Sequence, residues 1–178
     1  MNIWNSFPEE KISGERFFAV IEITSGSKNK YELDKDTGLL RLKRVQYTST
    51  RYPLNYGFIP KTLADDGEPL DALLLCREAV LPMTLIECYP IGVLKMTKGS
   101  VSDEKIIAIP FADKTLTDYK DITELPHNRY EEIMRFFSVY KAFEGKENSV
   151  DNIYNRAEAV RIINECKGRY KALSMHDL

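Results

Sequence analysis

Cysteine and histidine are both scarce in this sequence. The three cysteines, Cys76, Cys88 and Cys166, lie far apart and form no Cys-x-x-Cys pair, which argues against a zinc ribbon or a redox dithiol. The two histidines, His127 and His176, both lie in the C-terminal part and leave a histidine-centred triad or zinc site poorly supplied. Widely spaced cysteines in odd number are typical of reduced, packed thiols, so we expect a cytoplasmic protein.

Long apolar runs, charge excess and glycine-rich phosphate loops are also missing. No uninterrupted apolar run approaches the length of a membrane span, and residues 1–11 lack the pattern of a signal peptide, so we expect no membrane partner. With 27 acidic and 25 basic residues the net charge is −2, which disfavours a nucleic-acid partner. Neither the Walker A nor the Gly-x-Gly-x-x-Gly pattern occurs, so nucleotide folds of those kinds lack support.

The composition is that of a globular protein, and the sequence patterns predict a single α+β domain over residues 1–178. The 178 residues are 43% hydrophobic and 29% charged, which suffices for a sizeable core. Runs of β-branched and aromatic residues predict short strands that close into a barrel, and a three-to-four-residue apolar repeat predicts two C-terminal helices. We predict strands at 16–24, 30–34, 39–45, 71–76, 85–97 and 104–109, loops or turns at 47–60, 98–104 and 144–151, and helices at 126–143 and 153–172.

One short acidic stretch has a distinctive charge pattern. Asp65, Asp66, Glu68 and Asp71 fall within seven residues, and a run of buried-type strand residues follows at once. A solvated turn is the ordinary reading of such a segment. However, Asp71 lies at the start of an apolar strand, and clustered carboxylates repel one another unless a cation is present. Magnesium or manganese ions suit such oxygen ligands, whereas an EF-hand is excluded because its twelve-residue register is absent.

Charged residues elsewhere also occupy positions that are unusual for solvated side chains. Arg44 shares a predicted strand face with Leu40 and Leu42, where an arginine usually has an anionic partner. Metal-binding carboxylates beside cations that bind anionic oxygens suit a metal-bound phosphate ester or anhydride, so the combination predicts phosphoryl-transfer chemistry. The set comprises Glu22, Glu32, Asp66, Glu68, Asp71 and Asp103, with Lys30, Arg44, Lys105 and Lys141 and with Tyr52, Tyr56 and Tyr140.

The stretch Asp66-Gly67-Glu68-Pro69-Leu70-Asp71 resembles the Asp-x-Asp-Pro-x-Asp signature of the soluble family I inorganic pyrophosphatases, in their short, prokaryotic-type form. The resemblance extends over about residues 18–143, and the further matching blocks arrive in family order. They are Ile21-Glu22-Ile23, Lys30-Tyr31-Glu32, Arg44, Tyr52-Pro53-Leu54-Asn55-Tyr56-Gly57, Lys95-Met96-Thr97, Asp103 with Lys105, and Phe136-Phe137-Ser138-Val139-Tyr140-Lys141.

This resemblance implies a mainly β fold, with a closed five-stranded OB-like barrel, two C-terminal helices on its side and the site at its mouth. The implied reaction is Mg²⁺-dependent hydrolysis of inorganic diphosphate to two phosphates by a metal-activated water. Several Mg²⁺ ions would bind per site, with Mn²⁺ or Zn²⁺ as alternatives. By position in the family motifs, the implied metal ligands are Glu22, Glu32, Asp66, Asp71 and Asp103, the catalytic group is Glu68 with Tyr56 and Lys105, and the substrate-binding residues are Lys30, Arg44, Tyr140 and Lys141.

The sequence departs from the family pattern at two places. Glu68 replaces the central Asp of the signature, which lengthens the carboxylate by one methylene. Lys98 and Gly99 fall where the family usually carries an Asp-Glu pair, so we expect one metal site to be weakened. Two outcomes follow from the second departure: a neighbouring acid such as Asp65 compensates, or the enzyme is slower and more selective about its metal.

Three other functions remain open at this stage. The first is a catalytically weakened or non-catalytic pyrophosphatase-fold protein that binds metal and diphosphate. The second is an OB-like module for single-stranded nucleic acid, and the third is a metal-dependent phosphatase for a nucleotide or sugar phosphate. The resemblance also implies a homo-oligomer, with a hexamer favoured, although Arg135 and Val139 replace histidines that some relatives place in that contact.

Overall fold

A ring of strands forms the centre of the fold. The computed structural model describes residues 3–140 and 148–176. Within these ranges the strands are β1 (Phe17–Ile23), β2 (Asn29–Leu33), β3 (Leu40–Val45), β4 (Asn55–Ile59), β5 (Leu70–Leu74), β6 (Leu85–Lys98), β7 (Val101–Pro110) and β8 (Asn148–Asn155). The helices are α1 (Ile3–Ser6), α2 (His127–Tyr140) and α3 (Arg156–His176), with short 3₁₀ turns at Glu9–Lys11 and Ile122–Glu124.

The barrel closes through five strands in the order β1-β4-β5-β7-β6, because β6 pairs back onto β1. All neighbours in this ring are antiparallel except β5 and β7, which run parallel. Strand β8 extends the sheet by pairing with β6, and β2 and β3 form a separate hairpin. The five-stranded OB-like barrel with two helices after it is therefore confirmed.

Both faces of the barrel strands are buried, which explains why their sequences read as nearly continuous apolar runs. Along β7, Ile107 and Ile109 join the cluster that contains Ile133 of α2. The intervening Ile106 and Ala108 join the cluster that packs against α3. Because successive strand residues point to opposite faces, the two helices cover different sides of the sheet. In the described part of the chain, no helix is both long and apolar enough to cross a membrane.

Several predicted boundaries were wrong. The loop predicted at 47–60 contains the buried strand β4, and the polar connection predicted at 144–151 overlaps β8, which also takes up the first residues of the helix predicted from 153. Helix α3 instead starts at Arg156, where the Asn155 side chain accepts a hydrogen bond from the Glu158 amide. The turn predicted at 98–104 is shorter, since β7 already starts at Val101.

Gly168 provides a direct test of helix stability. It lies on the exposed side of α3, and a Cβ placed there would meet no atom within 4 Å. Alanine favours the helical backbone over glycine by about 0.5–1 kcal/mol, mainly because glycine loses more conformational freedom on folding. We therefore expect Gly168→Ala to raise the free energy of unfolding by about that amount. Chemical denaturation followed by circular dichroism would measure it, and a lower midpoint would contradict the assignment of Gly168 to an open helix surface.

Candidate active site

The acidic stretch forms a closed turn at the mouth of the barrel. The Ala64 amide donates to the Glu68 carbonyl at 2.8 Å, and Gly67 takes a positive φ of 83°, which glycine adopts without strain. The Asp66 side chain accepts from the Glu68 amide at 3.0 Å. Below the turn, the Thr62 hydroxyl accepts from the Leu70 amide at 2.9 Å. These bonds fix the path of the chain from the turn into β5.

Lys105 is the charged residue that the barrel buries most completely, and it joins two acids of the site. Its side chain is 3% exposed, and its Nζ lies 2.6 Å from both Asp71 and Asp103. The parallel register places Asp71 opposite Lys105, and the Tyr56 hydroxyl donates to Asp71 from β4. Although burial alone lowers it, the pKa of Lys105 ends above its usual range because the two carboxylates stabilise the ammonium. Lys105 is therefore a fixed positive charge in the floor of the site.

Glu22 is a buried carboxylate at the end of β1. Burial raises its pKa to about 8, against the opposing effect of a 2.7 Å hydrogen bond from the Leu33 amide. The neighbouring carboxylates Asp71 and Glu32 add to the increase. These surroundings disfavour the ionised form of Glu22. A cation bound beside Glu22 would stabilise the ionised carboxylate and so lower its pKa.

The β2–β3 hairpin supplies further charged residues of the site. Lys30 and Lys43 lie 2.9 Å and 3.1 Å from the carboxylate of Glu32. Burial raises the pKa of Glu32, but these two ammonium groups outweigh it and hold the pKa below its usual range. The hairpin thus presents positive charge and a carboxylate side by side.

One cavity of about 530 Å³ collects most of the predicted site residues. Its volume is ordinary for a small-molecule site. Arg44 does not line it, although its backbone pairs with that of Lys30. The side chain of Tyr140, the last residue of α2, and all of Lys141 lie outside the described residues. The predicted residues that line the cavity are Glu22, Lys30, Glu32, Tyr56, Asp66, Glu68, Asp71, Asp103 and Lys105.

Further charged residues of the cavity were not predicted from the sequence. Lys35 lies 2.5 Å from Glu68 and stacks over the ring of Trp4, with 4.3 Å between its Nζ and the ring centroid. Arg41 pairs with Asp34 at 2.7 Å on the same hairpin. The only available signal was the density of charge around the turn at 34–38, which is equally typical of a solvated hairpin end.

Asp65 turns toward α3 rather than toward the cavity, which does not favour compensation for Lys98 by Asp65, one of the two outcomes that the sequence left open. Its carboxylate lies 2.8 Å from Arg169 of α3 and is absent from the cavity lining. The side chain of Lys98 itself lies outside the described part of the chain.

Comparisons with known proteins identify relatives of this chain. The profile of the inorganic pyrophosphatase family matches residues 19–171. The chain is 47% identical to soluble inorganic pyrophosphatase 2 of Chlamydomonas reinhardtii over 85% of its own length and 79% of that protein. It is 43% identical to the inorganic pyrophosphatase of Aquifex pyrophilus, over 94% and 97% of the two chains.

Solved structures share its fold. The crystal structure of inorganic pyrophosphatase from Thermus thermophilus superposes with a TM-score of 0.89 at 37% identity, covering 96% of this chain and 99% of that one. The Helicobacter pylori inorganic pyrophosphatase gives a TM-score of 0.86 at 38% identity, over 89% and 95%. By sequence, by fold and by the residues gathered in its cavity, the chain belongs to the inorganic pyrophosphatase family.

Proposed function

We propose that this chain hydrolyses inorganic diphosphate to two phosphates in the barrel cavity, with Mg²⁺ ions held by its carboxylates. Membership of the family makes the chain an inorganic diphosphatase; the metal and the residue roles are our proposal. The observation that carries it is that one cavity gathers carboxylates and cations from separate elements. Asp66, Asp71 and Asp103 reach it from the acidic turn, β5 and β7, and Lys30 reaches it from the hairpin.

The donor chemistry fits magnesium. Every acid in the cavity offers carboxylate oxygen, the ligand that hard divalent cations prefer. Among the described residues, no three acids, cysteines or histidines form a compact metal cage. Mg²⁺ typically binds through one or two carboxylates together with waters and substrate phosphates, so dispersed acids suit it better than they suit a caged ion. Mn²⁺ and Zn²⁺ are the alternatives that the same oxygen ligands accept.

We assign the metal ligands by their positions in the family motifs, and all five of them line the cavity. Asp66, Asp71 and Asp103 would hold ions near the attacking water, and Glu22 and Glu32 would hold an ion on the substrate side. When bound, such ions supply Lewis acidity, which makes water a better nucleophile and neutralises the phosphates. Lys105 orients Asp71 and Asp103 by bonding to both, and Tyr56 fixes Asp71 from the other side.

The remaining steps belong to the chain's own side chains. Lys30, with Arg44, Tyr140 and Lys141 in the roles that the sequence predicts, would bind phosphate oxygens and stabilise the charge on the leaving group. Glu68 would accept a proton from the attacking water. The water oxygen would form a bond to phosphorus while the bridging P–O bond breaks. The Glu68 carboxylate is exposed at the cavity and is held by Lys35, which places a base within reach of solvent.

The same reasoning extends to location and assembly. Free thiols at Cys76, Cys88 and Cys166 support a cytoplasmic location, since a reducing compartment preserves them.

We propose a homo-oligomer, with a hexamer favoured. Exposed apolar side chains on and beside β3, of which Val45 is 49% and Tyr47 92% exposed, support association. Light scattering at several protein concentrations would measure the order, and a monomer at all of them would contradict the proposal.

Phosphate release from diphosphate tests the function directly. We expect turnover that depends on Mg²⁺, falls to background in excess chelator, and returns when Mg²⁺ is restored. Titrations with Mn²⁺ and Zn²⁺ rank the alternative metals. Faster turnover of a nucleotide or sugar phosphate than of diphosphate would favour a phosphatase of broader substrate range, and binding of metal and diphosphate without phosphate release would identify a non-catalytic relative. Salt-sensitive binding to an oligonucleotide would favour the nucleic-acid module.

A further inference from the structure

Helix α3 binds the segment that leads into the acidic turn. The backbone carbonyl of Cys166 accepts a hydrogen bond from the Leu63 amide at 2.9 Å. The Nε of Arg169 donates to the Leu63 carbonyl, also at 2.9 Å. Both backbone polar groups of Leu63 are thus held by one turn of α3, three residues before Asp66.

Arg169 uses all three of its guanidinium nitrogens in this contact. While Nε binds the Leu63 carbonyl, Nη1 lies 2.8 Å from the Asp65 carboxylate and Nη2 donates to the Cys166 sulfur at 3.0 Å. The Arg169 side chain is 38% exposed, so it is half-buried against the segment. A planar fork bound at three points restrains direction as well as distance.

The helix beneath Arg169 is itself well anchored. Cys166 is fully buried with Ile162 and Ile163 in the cluster that packs on the sheet, and the Tyr170 ring packs at a tilt against Trp4, with 5.7 Å between ring centroids. The acidic turn, by contrast, is exposed from Asp65 to Glu68. An exposed turn that must present carboxylates at fixed spacing needs support from a rigid element.

We propose that Arg169 is a positioning residue for metal binding: by clamping Leu63 and Asp65 to α3, it fixes the orientation in which the acidic turn presents Asp66 and Glu68. Arg169 acts through the loop and touches neither substrate nor metal. This inference rests on the proposed function, in which Asp66 holds a metal ion. It also gives Asp65 a purpose, as the anionic partner of the clamp.

The sign of the effect separates positioning from simple electrostatics. Arg169 places a positive charge beside an acidic segment, so its removal would strengthen Mg²⁺ binding if charge alone mattered. Loss of positioning would instead weaken Mg²⁺ binding, because a disordered turn must be ordered before it can bind the ion. We expect Arg169→Met to weaken Mg²⁺ binding about tenfold, the usual scale for residues that support metal ligands.

The test compares four variants of the full-length protein. Arg169→Met removes the clamp, and Arg169→Lys keeps the charge but loses the planar fork. Asp65→Asn removes the ion pair together with a negative charge that would attract Mg²⁺, so its hydrogen exchange is the readout that covers the case in which Arg169→Met fails to fold. Arg161→Met is the matched control: Arg161 lies on the same helix and pairs with Glu158 and Glu165, which also belong to α3.

Two measurements on the diphosphate-free protein give the result. Calorimetry yields the Mg²⁺ affinity, and amide hydrogen exchange reports the turn through Gly67 and Glu68, whose amides are hydrogen-bonded within it. We expect weaker Mg²⁺ binding and exchange at least about fivefold faster in both Arg169 variants, a smaller change of the same sign in Asp65→Asn, and no change in Arg161→Met. At saturating Mg²⁺, the KM for diphosphate should stay at the parent value.

Unchanged or tighter Mg²⁺ binding in Arg169→Met would overturn the inference, as would parent-like hydrogen exchange in Asp65→Asn or parent-like binding in Arg169→Lys. Failure of the proposed function looks different. In that case the parent protein itself would bind no Mg²⁺ or release phosphate without it, whatever residue occupies position 169.

Discussion

Replacing Asp71 with Asn is expected to abolish Mg²⁺-dependent phosphate release, lowering kcat/KM by about a thousandfold or more. Asp71 is bound by the Lys105 ammonium at 2.6 Å and by the Tyr56 hydroxyl, and it lines the cavity beside Asp103. Asparagine has nearly the same shape but carries no charge. The substitution therefore removes a metal ligand of the proposed site and leaves the buried Lys105 with Asp103 as its remaining ionic partner among the described residues.

Asp71→Asn should weaken Mg²⁺ binding by more than the loss of one ligand, because it also changes the charge balance around Lys105. With two acids, the site carries one net negative charge at this point, which attracts a divalent ion. With Asp103 alone, the group is neutral, and Lys105 is free to occupy the position of the missing cation. Truncating one partner of a buried charge pair also destabilises proteins by about 3–5 kcal/mol, and the charge that remains on Asp103 should reduce that cost.

The activity of Asp71→Asn must therefore be measured with its folded state verified. A circular dichroism spectrum at the assay temperature and a separate thermal melt establish that the variant is folded. Phosphate release is then followed across a Mg²⁺ titration. Asp36→Asn is the matched control, because Asp36 lies on the rim of the same cavity and is exposed. We expect that variant to keep activity within about twofold of the parent, as is usual for an exposed rim charge. Parent-like turnover in folded Asp71→Asn would exclude Asp71 as a metal ligand.

The sequence predicts the barrel where local pattern and tertiary environment agree. Strand β1 was placed within one residue at each end, since its β-branched and aromatic run is bounded by Ser25 and Gly26. Strand β3 was placed equally well, since the turn at 36–38 predicts a hairpin. Strand β8 was missed because Asn148, Ser149, Asp151 and Asn152 disfavour extended structure. Its pairing with β6 supplies the hydrogen bonds that override this local preference.

The sequence itself determines only the local part of the candidate site, whereas the resemblance to a family carried the prediction of Glu22, Glu32, Asp103 and Lys105. Asp66, Glu68 and Asp71 belong to one turn and strand, so their spacing in the chain fixes their proximity. Asp65 shows the limit of this reasoning: it is adjacent to Asp66 in sequence, yet its side chain turns to Arg169 rather than to the cavity. Which way an exposed turn residue points depends on a helix a hundred residues later, and no local pattern contains that information.

Strand β4 gives the second large effect, because Gly57 packs closely against the backbone of β1. A Cβ at position 57 would lie 1.9 Å from the carbonyl oxygen of Val20 and 2.9 Å from the Cα of Ile21. Both neighbours are backbone atoms, and the pairing of β1 with β4 is irregular just after Ile21. A backbone carbonyl inside a closed barrel cannot rotate away as a side chain would. Gly57→Ala must therefore separate the two strands.

We expect Gly57→Ala to lower the free energy of unfolding by about 3 kcal/mol, the upper end of the usual cost of overpacking. For a chain of this length, that corresponds to a fall in melting temperature of roughly 6–12 °C. Activity should fall with it, since the same strand carries Tyr56. Gly168→Ala is the matched control: the same methyl group, added to an open helix surface, raises the melting temperature. A Gly57→Ala melting temperature equal to that of the parent would mean that β1 and β4 are farther apart than described, and the placement of Tyr56 against Asp71 would fall with that spacing.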